Sequence, residues 1–200
     1  MKAELLLRFV SRQLQDVEAV TWDRSTLLAL LSDAQREIVR LHPSANAVHS
    51  VIRCQSGTLQ QIPSDGVTFI RALRNVDAQG KVGAALSPAH LADMDALNAH
   101  WHSDTEQHIA RQWFADPQDP RVFYVYPAIK QGSKLEIIYS VSPVEVESQE
   151  DVIGLPETYK PALQYYMLAA ALSMETEGAE DSKALQYYAL FEKSIKGGGA

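Results

Sequence analysis

Cysteine is nearly absent: Cys54 stands alone in 200 residues. That excludes an intrachain disulfide framework and fits a reducing compartment. Long apolar runs are missing too, and none approaches the roughly 20 residues a membrane-spanning helix requires. The opening MKAELLLRFVSRQLQD has an apolar patch, but charges and glutamines interrupt it at helical spacing. It lacks the uninterrupted centre and small-residue cleavage site of a secretion signal, so no export leader is expected. Glycine is scarce, with ten residues, most of them in predicted turns. No GxGxxG or GxxxxGK(S/T) phosphate loop is present, nor a GxSxG elbow, an HExxH pair or a paired-cysteine zinc pattern. Positive charge is thin as well: 18 Lys and Arg against 25 Asp and Glu give a net charge of −7. Residues 1–100 are balanced at ten each, so the acidic excess lies wholly in residues 101–200, eight against fifteen. No basic stripe or cluster is visible. Tight nucleic-acid binding draws on cations that displace counterions from phosphates, and the sequence speaks against it. An acidic surface can still sit beside DNA without gripping it.

What is there is ordinary for a globular chain, 46% hydrophobic and 22% charged. The length suits one domain, or one domain with a helical annex. The stretch Ile109–Pro143 organises the middle. It holds three runs of aromatic and β-branched residues, Ile109–Ala115, Arg121–Tyr126 and Lys134–Val141, separated by Pro117, Pro120 and Gln131-Gly132-Ser133. Such runs bounded by breakers read as antiparallel strands joined by hairpins. Leu135, Ile137, Tyr139 and Val141 alternate with polar neighbours, which buries one face of the third strand. The second run is polar on neither face, so it is expected to be central or covered on both sides. Upstream, Val48, Ser50, Ile52 and Cys54 alternate, Ser56-Gly57 reads as a tight turn, and Thr58–Ile62 returns as the partner strand. Val67–Val76 reads two ways, since Val67, Phe69 and Ile70 suit a strand while Phe69, Leu73 and Val76 suit a helix; the strand is the reading taken, and Lys81–Ala85 follows as a short strand. Ser87-Pro88 opens a short helix with Ser87 as cap, and Val144–Asp151 reads as a solvated acidic connector.

The chain ends are helical. Residues 4–17 place Leu6, Phe9, Val10 and Leu14 at helical spacing. Trp22–Leu41 carries a stripe of Leu27, Leu31, Ala34, Ile38 and Leu41, with Asp23 as cap and Trp22 positioned to pack on Leu27. His42-Pro43 stops it. A C-terminal hairpin follows, with Leu163, Tyr166, Met167, Ala170, Ala171 and Met174 on its first helix. A break falls at Glu177–Asp181, and a second helix has Ala184, Tyr188, Phe191 and Ile195 inward. Gly197–Gly199 is a flexible end. The fold class this predicts is α+β, an antiparallel β core over about 47–143 with the terminal helices packed as a bundle. The expected domains are 1–43, N-terminal helices; 44–150, the β domain with one short helix; and 151–200, the helical hairpin packing on the N-terminal helices.

Three sets of residues invite a chemical reading. His100, His102 and His108, with Asp104 and Glu106 between, are metal-ligand types that would suit a metal-dependent hydrolase. Their spacing matches no derivable motif, and the alternative is a solvated loop with Trp101 tucked into the core. Cys54 has no neighbouring base and reads as a small core residue. The aromatics Trp113, Phe114, Phe123, Tyr124, Tyr126 and Tyr139 could stack single-stranded bases, but without cations nearby they read as core and interface packing. No cofactor site is expected. The terminal helices are apolar beyond what one contact requires. Tyr159, Tyr165, Tyr187, Tyr188, Phe191, Ile195 and Lys196 are therefore the candidate interface, since tyrosines suit amphipathic contact surfaces.

The order of the pieces carries a resemblance. TWDRSTLLALLSDAQREIVRLHPSAN, then QQIPSDGVTFIRALRNV, then the tryptophan of AHWHSD, then DPRVFYVYPAIKQGSKLEIIYSVSP, then LPETYKPALQYYMLAAALSMETEGAEDSKALQYYALFEKSI resemble, collinearly, the head-to-tail connector proteins of tailed bacteriophages. The resemblance runs from Val20 to Ile195 and includes no catalytic signature. It implies a structural, non-enzymatic virion protein at the head–tail junction, made in the host cytoplasm. Such a protein would dock on the portal protein as a ring of its own copies, commonly twelve. It would seat the downstream tail, nozzle or tail-tube protein, let DNA pass without sequence-specific binding, and touch no membrane. The terminal helices and the tail Glu192–Ala200 are the expected portal-facing parts. A monomeric protein-binding module is the other non-enzymatic reading.

Overall fold

The structure, a computed structural model, describes residues 1–174 and 181–197. The expected break around Gly178 and the end of the chain beyond Gly197 lie outside them. In chain order the elements are α1 (Ala3–Gln13), α2 (Arg24–Leu41), β1 (Ala47–Arg53), β2 (Gly57–Gln61), β3 (Gly66–Val76), β4 (Val82–Ala85), β5 (Ser87–Pro88), α3 (Leu91–Leu97), β6 (Gln112–Ala115), β7 (Val122–Ile129), β8 (Lys134–Val141), α4 (Lys160–Ser173) and α5 (Asp181–Gly197). The fold is α+β. It divides into two compact units, Met1–Asn46 with Pro143–Ala200, and Ala47–Ser142.

In the helical unit, α1 buries Leu6, Leu7 and Val10 and ends at Gln13, short of the expected residue 17. The chain turns sharply after it because Gln15 and Ala19 adopt left-handed φ values of 57° and 54°. Asp16 holds that turn. Its carboxylate accepts the backbone N–H groups of Val20 (2.8 Å), Thr21 (3.0 Å) and Trp22 (2.8 Å). These bonds, that of Trp22 foremost, keep its carboxyl below the usual range. Asp23 caps α2 as expected, accepting from the N–H of Thr26 at 2.7 Å. Leu27, Leu31, Ala34 and Ile38 are buried along α2, Leu30 and Val39 broaden the stripe, and Leu41 is exposed. The acidic connector is not solvated throughout. Val146 is buried, its N–H donates to the hydroxyl of buried Ser32 at 2.9 Å, and Ile153 and Leu155 join the helical core. An apolar residue every few positions outweighs the local charge, so this segment packs.

The β unit has two four-stranded sheets, ordered β1-β8-β3-β4 and β2-β7-β6-β5. The expected hairpins are therefore partly rearranged. β6 and β7 pair antiparallel, but β8 pairs with β1 and β3, and β2 pairs with β7 and not with β1. Residues 47–61 and 122–141 instead make one long antiparallel ribbon, bent so that its halves enter different sheets. Each strand bends at a glycine with left-handed φ, Gly57 at 98° and Gly132 at 82°, a conformation side chains oppose. The strands stay tied through the bend, where the N–H of Cys54 donates to Ser133 O at 2.8 Å and that of Gly132 to Cys54 O at 2.9 Å. Buried Gln60 clamps the corner. Its amide accepts from the N–H of Gln55 (2.9 Å) and donates to the carbonyls of Gln55 (2.9 Å) and Gly57 (3.2 Å).

Between the sheets, Phe69 stacks on Phe123 at 4.1 Å, and Trp113 meets Phe69 edge-on at 5.3 Å. β7 is covered on both faces, by this core and by the cluster of Trp101, Phe114, Tyr124 and Tyr126. Ser87-Pro88 does not open a helix. It pairs in parallel with Gln112-Trp113, and the helix starts at Leu91 with His90 at the cap position and no side-chain capping bond. The backbone bonds Ser87 N–H to Arg111 O (2.9 Å) and Ala89 N–H to Trp113 O (3.0 Å) hold the segment extended, overriding its cap-like sequence.

Candidate docking surface

The helical unit carries an open groove of about 440 Å³ between α4 and α5. Its origin is side-chain size. Leu163, Met167, Leu168, Ala171 and Leu172 of α4 turn inward. Ala169, Ala170 and Ser173, facing Ala184 of α5, leave room between the helices. Tyr166 and Tyr188 wall the groove, and both rings meet the buried ring of Phe191, at 5.2 and 5.6 Å. Leu185 at its edge is 71% exposed and Tyr188 38%. On the α2 side the ion pairs Arg36–Asp33 and Arg40–Glu37, each 2.7 Å, supply charge. Burial pushes the Tyr166 hydroxyl up, and the carboxylates of Asp33 and Glu37 add to it. An apolar trough with a charged border suits the apolar face of a partner element, since exposed apolar patches rimmed by polar groups mark interaction sites.

The seven candidate interface residues fall into three settings. Tyr159, Phe191 and Ile195 are buried in the helical core, and the Tyr159 hydroxyl bonds His42 Nδ1. Tyr165 and Tyr187 are half-buried and stacked on each other at 6.3 Å. Tyr188 and Lys196 are exposed. The sequence reading placed Ala170 and Ala184 on the inward stripes but missed Ala169, Ser173 and the groove they form, although the run Ala169-Ala170-Ala171 followed by Ser173 signals a close helix approach.

The histidine loop is not assembled for metal chemistry. Trp101 is fully buried, and its indole N–H donates to Asp95 at 2.9 Å. His102 lies over that ring at 3.7 Å, with Nδ1 at 2.7 Å from the Thr58 hydroxyl. His108 Nε2 faces the Lys130 ammonium at 3.4 Å, a cation where a metal ligand needs none. The Glu106 carboxylate accepts from Ser56. Among the described residues no three of His, Cys, Asp and Glu are grouped to hold a metal ion. The structure thus does not bring His100, His102 and His108 together. Cys54 is buried, and burial pushes its thiol up to about 12, so it stays protonated in the core.

These features define a class: an α+β protein that presents a shaped apolar surface, with Cys54 buried and His102 and Glu106 held in hydrogen bonds. The family follows from the sequence as a whole. The profile of the SU10 adaptor protein family matches residues 1–198, and the chain belongs to that family. The resemblance to phage head–tail connectors is thereby upheld along the chain. No curated protein matches the sequence. Among solved structures, a chain of "Neck of empty GTA particle computed with C6 symmetry" is similar at 19% identity, covering 84% of this chain and 76% of that one, with a TM-score of 0.30.

Proposed function

We propose that this chain works as a structural head–tail adaptor. It docks on the portal ring, continues the DNA channel and seats the next tail component. The observation that carries this is the match to the SU10 adaptor protein family over residues 1–198. The surfaces agree with it. The α4–α5 groove, edged by Leu185 and Tyr188, offers apolar area for a partner element, while Tyr159, Phe191 and Ile195 support it from the core. We place the docking contacts on this face and on Lys196, with Tyr165 and Tyr187 at its flank. Ring closure, in about twelve copies, needs heterologous contacts in which one patch meets a different patch on the neighbour. The particle's head–tail junction is then its location, and the acidic second half lets DNA pass without being held.

Electron-microscope imaging of the purified chain mixed with portal rings tests the reading. Ring-shaped density added beneath the portal is the expected result. A chain that stays monomeric and never joins portal rings would overturn it in favour of a single-partner binding module.

A further inference from the structure

One surface remains outside that account. At one end of the β unit lies an open slot of about 680 Å³. Gly83, Ala84, Val76 and Ile109 form apolar walls, and Arg53, His108 and Lys134 line it, with Lys130 beside His108. Its one lining carboxylate among the described residues is Asp77, which accepts the backbone N–H groups of Gln79 and Lys81 at 3.0 and 2.8 Å. Lys134 donates to the carbonyl of Ala78 at 3.1 Å, and among the described residues neither it nor Arg53 belongs to an ion pair. Ile109 and nearby Val82 are each 52% exposed. A chain of net charge −7, with no Lys/Arg cluster in its sequence, thus gathers cations and exposed apolar side chains at one place by folding.

The helical unit has the complementary feature. The ledge from Val144 to Val152 exposes Glu145 and Glu147, with Val144 at 86% and Val152 at 72% exposure. It is held firmly from below. Val146 is buried, and the Asp151 carboxylate accepts the N–H groups of Glu147 and Ser148 at 2.9 Å each. A rigid ledge gives up little freedom on binding.

We propose that the slot of one copy receives the ledge of the next. Each copy then offers a basic slot to one neighbour and an acidic ledge to the other, the heterologous arrangement that closes a ring. The proposal rests on the adaptor reading and assigns its copy-to-copy contact. Charge and apolar exposure match on both sides, and complementary potentials fix register between partners. Duplex DNA is the poorer occupant. Three cations, Arg53, Lys130 and Lys134, in a concave slot on an acidic chain replace few counterions.

The test uses full-length variants supplied to particles assembled without the chain, read as the fraction of tailed particles by electron microscopy. Arg53→Glu with Lys134→Glu, and separately Glu145→Lys with Glu147→Lys, should each lower tailing about tenfold or more, the scale of one lost charge-pair coupling. The chain carrying all four substitutions should recover to within about threefold, because the swapped charges attract again. Circular dichroism and the unfolding midpoint of each purified variant establish that it folds. A reversed variant that tails normally overturns the proposal, as does a four-substitution chain no better than its parents. So does a 20-base-pair duplex that binds the unaltered chain and not the slot variant. Particles that tail without any copy of the chain overturn the adaptor reading itself, a distinct outcome.

Discussion

Gln60 and Asp16 show how much single side chains fix here. Gln60 is 1% exposed, and its amide satisfies three backbone groups at the corner of the ribbon. Gln60→Ala removes all three bonds from these partly buried backbone groups, at a cost of about 1–3 kcal/mol. Urea titration of the two proteins measures the difference directly. Asp16 works through its charge. Its folded carboxyl titrates below the usual 3.8, so its stabilisation is fully present above that value and is lost as pH falls through the lower, folded value. Asp16→Asn should be less stable than the parent at neutral pH, and the gap should narrow below about pH 4. Unfolding midpoints taken across pH 2–7 check it, and a gap that stays constant with pH would refute the charged role. Neither side chain stood out in the sequence. A glutamine in a strand and an aspartate in a connector are commonplace, and what makes them matter is which backbone groups the fold turns toward them.

At the level of elements, legibility followed the source of the signal. α2 was readable because its cap and its stripe are local: Asp23 bonds Thr26 three residues on, and Leu27, Leu31, Ala34 and Ile38 repeat along one face. The span of β8 was readable from alternation. The partner of β2 was not. Ser56-Gly57 looks like a hairpin turn, yet Gly57 bends a strand, and only pairing with distant residues 122–129 reveals this. The acidic connector misled in the same way, since its burial depends on Ser32, more than a hundred residues away. Periodicity places the candidate aromatics on helices but does not say which of them the core consumes, as it does Tyr159 and Phe191. Leu185 separates docking from folding. It is 71% exposed, so Leu185→Glu should shift stability by no more than about 0.5 kcal/mol. The same change puts a charge in the edge of an apolar groove, and an unpaired charge pressed into an interface should weaken portal binding about tenfold or more. Co-sedimentation with portal rings measures the second effect and thermal unfolding the first. Unaltered binding would move the docking face elsewhere.

For the whole molecule, the β unit is an insertion into the helical one. The helical unit is made from both chain ends, and the β unit from the continuous span Ala47–Ser142. The cores divide the same way. One cluster contains only residues of the helical unit, and the other two, around Phe123 and around Trp101, contain only residues between Val48 and Val141. The insertion begins and ends at one place, because Ala47 pairs with Ser140 across β1 and β8, and paired antiparallel residues sit about 5 Å apart. A short Gly-Ser linker can therefore join Asn46 to Pro143 without stretching the chain. Two consequences follow from a core that is complete within a continuous segment. Residues 47–142 expressed alone should unfold in one cooperative urea transition, with near-ultraviolet circular dichroism from the packed Trp101 and Trp113. The linked helical protein should keep its helical content and, with the α4–α5 groove intact, its binding to portal rings. It should fail to form a ring there, because slots for neighbouring ledges are gone. If the linked protein instead binds and closes a full ring, the β unit takes no part in contacts between copies.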